Sequence, residues 1–178
     1  MNGISLKNVK PAKRYAEALF ETENETDIKN ILAEINKISN TIKKDADFKN
    51  FISHPIVSSE DKKDVILKAF PDISEITRNF IFLIIDENRI NCISEIEFFL
   101  KDKIDNKNNI LNLNVTLAKD VDDKMKKYIV SRLQNKFQSN IKAVFNTDSD
   151  IIGGIQLKVK DSFIDLSIRK KLDNFKKI

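Results

Sequence analysis

Few residues in this chain have side chains suited to catalysis. Its 178 residues include one histidine, His54, and one cysteine, Cys92. A metal cluster or a Cys–His nucleophile pair with an orienting group needs more such side chains, so neither is expected. His54 precedes a proline and is interpreted as a residue at a loop or helix end. Cys92 is interpreted as a small, half-buried side chain. The sequence therefore predicts no catalytic residue, no metal and no cofactor.

Gly153-Gly154 is the second place where chemistry could occur, because these are two of only three glycines in the chain. Neither of the phosphate-loop patterns, GxxxxGK[ST] and GxGxxG, is present. Asp148 and Asp150 could touch a cation, but no further ligand series accompanies them, so a turn before a strand is preferred. Alternating apolar and polar residues predict that strand over 151–159, with one buried face. Glycine would allow another backbone to approach it closely.

The charge of the chain is unevenly distributed. Residues 1–110 carry 17 Lys and Arg against 19 Asp and Glu, and residues 111–178 carry 14 against 8. The basic residues of one predicted helix span several of its faces, without an aromatic stacking platform. A solvated face or an acidic protein partner is therefore preferred over nucleic acid, although phosphate contacts stay open. These residues are Lys124, Lys126, Lys127, Arg132 and Lys136, together with Arg169, Lys170 and Lys171.

Residues 1–106 have helical periodicity throughout, and their three prolines are placed at helix boundaries. The fourth helix is predicted to begin at an N-cap, Ser58, with Asp61 three residues later. The six helices are expected over Pro11–Glu23, around Ile28–Ile42, around Phe48–Ile52, from Ser58 to Pro71, over Ile73–Glu87 and around Ile90–Ile104.

The period then changes from 3.6 to 2. The polar segment 105–109 is interpreted as a linker, and Leu111 to Leu117 alternate as in a half-buried strand. A helix capped by Asp120, strands over 141–145 and 151–159, and a closing helix complete the prediction. Ile164, Ile168, Leu172 and Phe175 indicate that closing helix. The fold class is mainly α and α+β overall, with a six-helix bundle over 1–106 and a small α/β module over 107–178.

The fifth helix has an excess of apolar residues, since six follow one another from Phe80 to Ile85. Such a helix is either buried on all sides or uses its second face on a partner, and both readings stay open. The run is too short to cross a membrane, which takes about 20 residues. With no signal sequence and a single cysteine, we expect a soluble protein in a reducing compartment.

Several stretches resemble one family, the delta subunit of bacterial F-type ATP synthase, a relative of the mitochondrial oligomycin-sensitivity-conferring protein. Arg14–Phe20 reads RYAEALF, Phe51–Lys62 contains a similar His-Pro turn, and Phe82–Ile90 resembles a "FL.lL.eN.R" stretch. Asp148 to Leu172 is similar to "D.slIGG..i+.gd..iD.Si+..L", with departures at Lys160 and Leu166. The signature residues are Asp148, Gly153, Gly154, Asp165, Ser167 and Arg169.

The resemblance implies a stator subunit without catalytic activity, peripheral on the cytoplasmic face of the cell membrane. It would link the catalytic head to the peripheral stalk b subunits, so that rotary proton transport is coupled to ATP synthesis. The first and fifth helices would receive the N-terminal helices of the alpha subunits. The residues implied for this groove are Tyr15, Ala18, Leu19, Phe80, Leu83, Ile84 and Glu87. The alternatives are a nucleic-acid-binding α+β protein that uses its basic C-terminal module, and a free-standing adaptor.

Overall fold

The structure is a computed structural model that describes residues 6–160, 162–168 and 170, except the side chains of residues 6 and 7. The chain divides into two compact units, Met1–Ile104 and Asp105–Ile178. Helices come first and a four-stranded sheet follows, so the predicted α+β class is confirmed.

The helices of the first unit are held by one apolar core that consists mostly of isoleucine. They are α1 (Leu6–Thr22), α2 (Glu25–Lys44), α3 (Ala46–Ser53), α4 (Ser59–Ala69) and α5 (Glu75–Asp86), followed by a 3₁₀ turn (Ile90–Cys92) and α6 (Ile93–Lys107). Each helix turns its apolar stripe inward, as the 3.6 period requires. The largest fully buried side chains are Ile28, Ile31, Ile35, Ile38, Ile52, Ile66, Ile81, Ile84, Ile85, Ile93, Ile96 and Leu100.

Side-chain caps determine where several of these helices begin. Ser58 Oγ accepts a hydrogen bond from the backbone N of Asp61 at 3.1 Å, which confirms the predicted cap of α4. Asn24 caps α2 by accepting from the backbone N of Thr26 and Asp27. Such caps satisfy amide groups that have no partner within the helix.

The start of α1 differs from the prediction. The helix begins at Leu6, and Pro11 lies inside it rather than at its first position. Proline lacks one N–H, which here would have bonded to the carbonyl of residue 7, so a single bond near the helix start is lost. A proline near the N-terminus of a helix costs little, so the helix can begin several residues before the proline.

The predicted linker 105–109 is also largely wrong, because α6 continues to Lys107. Asp105 is 4% exposed and its carboxylate accepts from Asn112 Nδ2 at 2.8 Å and Lys142 Nζ at 3.1 Å. These contacts within the second unit give a polar residue a buried position, which the local composition did not indicate.

The sheet of the second unit has the strand order β2-β1-β3-β4. β1 (Ile110–Leu117) runs parallel to β2 (Asn140–Thr147) through the crossover helix α7 (Asp123–Phe137). β3 (Ile155–Val159) is antiparallel to β1 and to β4 (Ser162–Asp165). The alternation predicted for β1 is confirmed, since Leu113, Val115 and Leu117 are buried against the α7 side of the sheet.

Three local predictions in this unit are wrong. Asp122, not Asp120, caps α7 through Met125 N at 2.8 Å. β3 begins at Ile155, so Ile151 and Ile152 precede the strand. Ile164 pairs with Leu157 in β4 instead of belonging to the predicted closing helix, whereas Ile168 is helical as predicted. Spacing of four residues suggested that Ile164 is helical, but strand pairing across the β3–β4 hairpin overrides the helical periodicity. Leu172 and Phe175 lie outside the described residues.

Glu34 on α2 fixes the start of α5. Its carboxylate accepts from Ser74 N at 3.0 Å and from Ser74 Oγ at 2.7 Å, and Ser74 is itself the N-cap of α5. Burial raises the pKa of Glu34, but hydrogen bonds from Thr77 and Ser74 and the charge of Lys37 outweigh burial. The pKa of Glu34 is therefore lowered.

We expect Glu34→Gln to lower the free energy of unfolding by about 1–2 kcal/mol at pH 7, because a charge-assisted hydrogen bond is lost. The folded-state pKa is depressed, so this stabilisation is complete above the ordinary Glu pKa and disappears as the pH falls below about 4. Urea unfolding of both proteins at pH 7 and pH 3 measures it. Glu21→Gln, at an exposed position of α1, is the matched control. If the free energies of unfolding of wild type and Glu34→Gln differed by the same amount at both pH values, the ionised carboxylate of Glu34 would not be the source of the stabilisation.

Candidate functional site

The candidate surface of the first unit lies where α1 meets the C-terminal end of α5. The ring of Tyr15 packs edge-on against Phe80, with centroids 6.1 Å apart and an interplanar angle of 76°. Aromatic pairs favour this geometry, which fixes the two helices against each other. Beside this contact is a cavity of about 380 Å³. It is lined by Pro11, Arg14, Tyr15, Ala18, Glu87 and Arg89.

The seven residues implied for the groove separate into two sets. Leu19, Phe80 and Ile84 are buried in the core of the first unit. Tyr15 is half-buried, and the other members are exposed at the surface: Ala18, Leu83 and Glu87. The first set is placed to support the surface from below, and the second set is accessible to a partner. Of the seven, Tyr15, Ala18 and Glu87 line the same cavity.

Arg14 and Arg89 were not among the predicted site residues, yet both line this cavity. Both lie in stretches that carry the family resemblance, and that was the one signal that could have found them. With Glu87 they give the cavity two positive charges and one negative charge around the small side chain of Ala18. The cavity therefore has an apolar floor and a charged rim, as protein-binding surfaces commonly have.

The apolar excess of α5 is used mostly inside the first unit. Phe80, Ile81, Ile84 and Ile85 are buried, whereas Leu83 is 50% exposed. Phe82 is half-buried under Lys63, whose Nζ lies 5.5 Å from the ring centroid. The sequence allowed either a helix buried on all sides or a helix with a second face for a partner. Burial in the core accounts for four of the six apolar residues. Leu83 is the apolar side chain that remains available.

The signature residues of the second unit build a turn rather than a binding loop. Gly154 has φ +89°, and a Cβ there would lie 2.6 Å from the carbonyl oxygen of Leu166. Ile168 N donates to Gly153 O at 2.9 Å. The Gly-Gly pair thus lets the segment after β4 pack directly on the backbone before β3, as glycine permits.

Two signature carboxylates organise the same turn. Asp148 Oδ1 accepts from Asp150 N at 2.9 Å, and Asp165 Oδ1 accepts from Ser167 N at 2.8 Å. The hydrogen bonds from Ser167 lower the pKa of Asp165. Ser167 is buried, and its Oγ accepts from Lys170 N at 3.3 Å. Arg169 lies outside the described residues.

The groups considered for catalysis have structural surroundings. His54 Nδ1 accepts from Ile56 N at 3.3 Å. Cys92 is buried, and burial raises the pKa of its thiol, which opposes thiolate formation. In the part of the chain that is described, no group of three or more His, Cys, Asp or Glu residues could hold a metal ion.

The basic side chains of α7 do not form one continuous stripe. Lys126 Nζ pairs with Asp120 at 3.0 Å, and the Arg132 guanidinium lies 5.9 Å from the exposed ring of Tyr128. Lys124, Lys127 and Lys136 are exposed. Over the described residues, no helix is both long and apolar enough to cross a bilayer.

The fold and the surface together define an α+β protein with an accessible, partly apolar surface of the kind that contacts other proteins. The profile of the family described as "ATP synthase delta (OSCP) subunit" matches residues 12–178. The chain belongs to this family, whose members are structural, non-catalytic subunits of the stator, or peripheral stalk, of F-type ATP synthase. ATP synthesis and ion transport are thus the processes it serves.

Individual relatives agree with the family assignment. The ATP synthase subunit delta of Fusobacterium nucleatum is 34% identical over 93% of this chain and 95% of its own length. The subunit delta of Clostridioides difficile is 30% identical over 93% of both chains. A chain in the cryo-EM structure of the Toxoplasma gondii mitochondrial ATP synthase hexamer superposes with a TM-score of 0.63. That chain is 21% identical, with coverage of 93% of this chain and 95% of its own, and supports the fold alone.

We expect Gly154→Ala to destabilise the second unit by about 2–4 kcal/mol, because alanine resists the positive φ and its Cβ meets backbone atoms. Gly153→Ala is the matched control. The new Cβ would meet the Cδ1 atom of the flexible Ile168 side chain at 2.8 Å, so this variant should lose less free energy of unfolding. Urea unfolding followed by NMR signals of β1 residues gives both values. Equal losses would show that the close approach at Gly154 is not the reason for the Gly-Gly pair.

Proposed function

We propose that this chain ties the catalytic head of the ATP synthase to its peripheral stalk. Residues 1–106 would act as a six-helix bundle that binds the N-terminal helix of an alpha subunit. Residues 107–178 would contact the b subunits, on the cytoplasmic face of the bacterial membrane. This tether would keep the head from turning with the rotor, so that rotary ion transport drives ATP synthesis.

The observation that carries the proposal is the accessible surface beside the Tyr15–Phe80 contact. Ala18 offers a small side chain at the cavity, which lets a helix approach α1 closely. Leu83 offers exposed apolar area on α5. An amphipathic helix could place its apolar face on these residues, as in other helix-in-groove complexes.

The charged residues at the rim of the cavity would help to orient the bound helix. Arg14, Glu87 and Arg89 surround the cavity and can pair with polar residues on the outer face of a bound helix. Rim charges contribute more to specificity and association rate than to affinity. A stable interface buries roughly 1,600 Å² in total, so the contact would extend beyond the cavity along α1 and α5.

Exposed apolar side chains near the Gly-Gly turn support a protein partner for the second unit. Ile152, Leu166 and Ile168 are all exposed and lie close along the chain to the segments that the turn brings together. The exposed lysines of α7 are assigned to acidic residues of a protein partner rather than to nucleic acid. Nucleic acid is less favoured because Lys126 and Arg132 already have partners of their own, so fewer cations of α7 are available for phosphate contacts.

We expect Ala18→Asp to weaken binding of an alpha-subunit N-terminal peptide by about 10- to 100-fold, because an ionised carboxylate would be desolvated under the apolar face of the helix. Arg14, one turn earlier, can partly neutralise it, which sets the lower bound. Isothermal titration calorimetry with the full chain measures the affinity.

The matched control is Ala33→Asp on α2, which is also exposed on a helix and also has a basic residue, Lys29, one turn earlier. This variant should bind as wild type does, and both variants should retain the wild-type melting temperature. Wild-type affinity in Ala18→Asp would place the alpha-subunit site elsewhere on the protein.

A further inference from the structure

A second cavity of about 350 Å³ lies in the first unit, and it shares no lining residue with the cavity beside α1. It is formed by the end of α3, the start of α4 and the turn after α5. Its volume is at the lower end of the range for ligand sites and is large enough for an acidic side chain together with neighbouring groups. It is lined by Ile52, Ser53, Pro55, Lys62, Ile85, Asn88, Ile90 and Asn91.

Lys62 is the unusual member of this lining. The residue is only 4% exposed, although lysine is almost never buried unless it is paired. Within the described residues, its ammonium has neither an ion pair nor a hydrogen bond, and the Nζ atom itself keeps some contact with solvent while the rest of the side chain is buried. Lys63, the next residue along α4, does have a partner, because its Nζ lies 2.6 Å from Asp86 Oδ1. The Lys62 ammonium is thus a positive charge at the cavity with which no acidic group of the described residues pairs.

The rest of the lining provides hydrogen-bond donors but no negative charge. Ser53 Oγ donates to Asn91 Oδ1 at 2.6 Å, which turns the Asn91 amide so that its nitrogen is free to act as a donor elsewhere. Asn88 contributes a second amide. The remaining walls are apolar, from Ile52, Pro55 and Ile85. The cavity thus combines one cation, neutral donors and an apolar wall.

We propose that this cavity is a carboxylate-binding site that takes an acidic side chain from an apolar stretch of a partner protein. A carboxylate would pair with the Lys62 ammonium and accept from the amide groups, while its aliphatic stem and neighbours would contact the isoleucines. Phosphate fits less well, because it carries more charge than one lysine balances and the lining has no arginine. The site is separate from the α1 surface, so it does not depend on the function proposed above.

The experiment uses the full chain and butyrate, which joins a carboxylate to a short apolar tail. Amide shifts of Ser53, Asn88 and Asn91 are followed by ¹H–¹⁵N NMR while butyrate replaces chloride at constant ionic strength. We expect saturable shifts at these residues. Butyramide, the neutral isostere, and inorganic phosphate should each bind at least tenfold more weakly.

Two variants isolate the charge. Lys62→Met keeps an unbranched side chain without the ammonium, and it should lose the butyrate shifts. Lys63→Met changes the neighbouring, ion-paired lysine and should leave the butyrate shifts unchanged. Butyrate should raise the melting temperature of wild type but not that of Lys62→Met, because only the folded site binds it.

Several results would overturn the proposal. Equal binding of butyramide would make the cavity merely apolar, and tighter binding of phosphate would make it a general oxyanion site. An absence of saturable shifts would mean that Lys62 has no ligand of this class. A lower melting temperature of Lys62→Met with unchanged butyrate binding would assign Lys62 a structural role.

Discussion

The candidate surface depends on how α5 is packed into the isoleucine core of the first unit. Ile81, Ile84 and Ile85 fill that core, and close packing leaves little freedom to turn the helix about its axis. The orientation of α5 in turn holds Phe80 against Tyr15 and leaves Leu83 at the surface. A contact surface can therefore be rigid although the residues that face outward contribute little to its stability.

Local signals were sufficient for most elements of the fold. The alternation over Leu111–Leu117 depends on neighbours two residues apart, and the Ser58 cap depends on an amide three residues later, so both can be read from short windows. The family resemblance could also be read from the sequence, although the backbone approach that requires Gly154 is made by Leu166, which lies in another segment. Where a feature is determined by residues close in sequence, the sequence was an adequate guide.

Two of the errors occurred where strand pairing or side-chain contacts outside the helix, rather than the periodicity of one segment, decide the structure. Ile164 belongs to a strand because it pairs with Leu157, and Asp105 stays helical and buried while contacting Asn112 and Lys142. Some of the residues that line the two cavities could not be predicted from the sequence for the same reason. Arg89 and Lys62 gain their positions from helices that meet in space, and their spacing gave no sign of a cavity. A residue's type and neighbours can indicate its element, but not the charges that tertiary packing leaves unpaired.

A stator subunit must resist torque, and this sets different demands on apolar and charged contacts. Apolar burial gives affinity in proportion to area but is non-directional, so a helix in a smooth groove can slide with little loss of energy at each step. A single charge pair depends strongly on the separation of its two groups, so most of its energy is lost when the partner moves by more than a few ångströms. A Lys62 site of the kind proposed would therefore oppose sliding more than it would add to affinity.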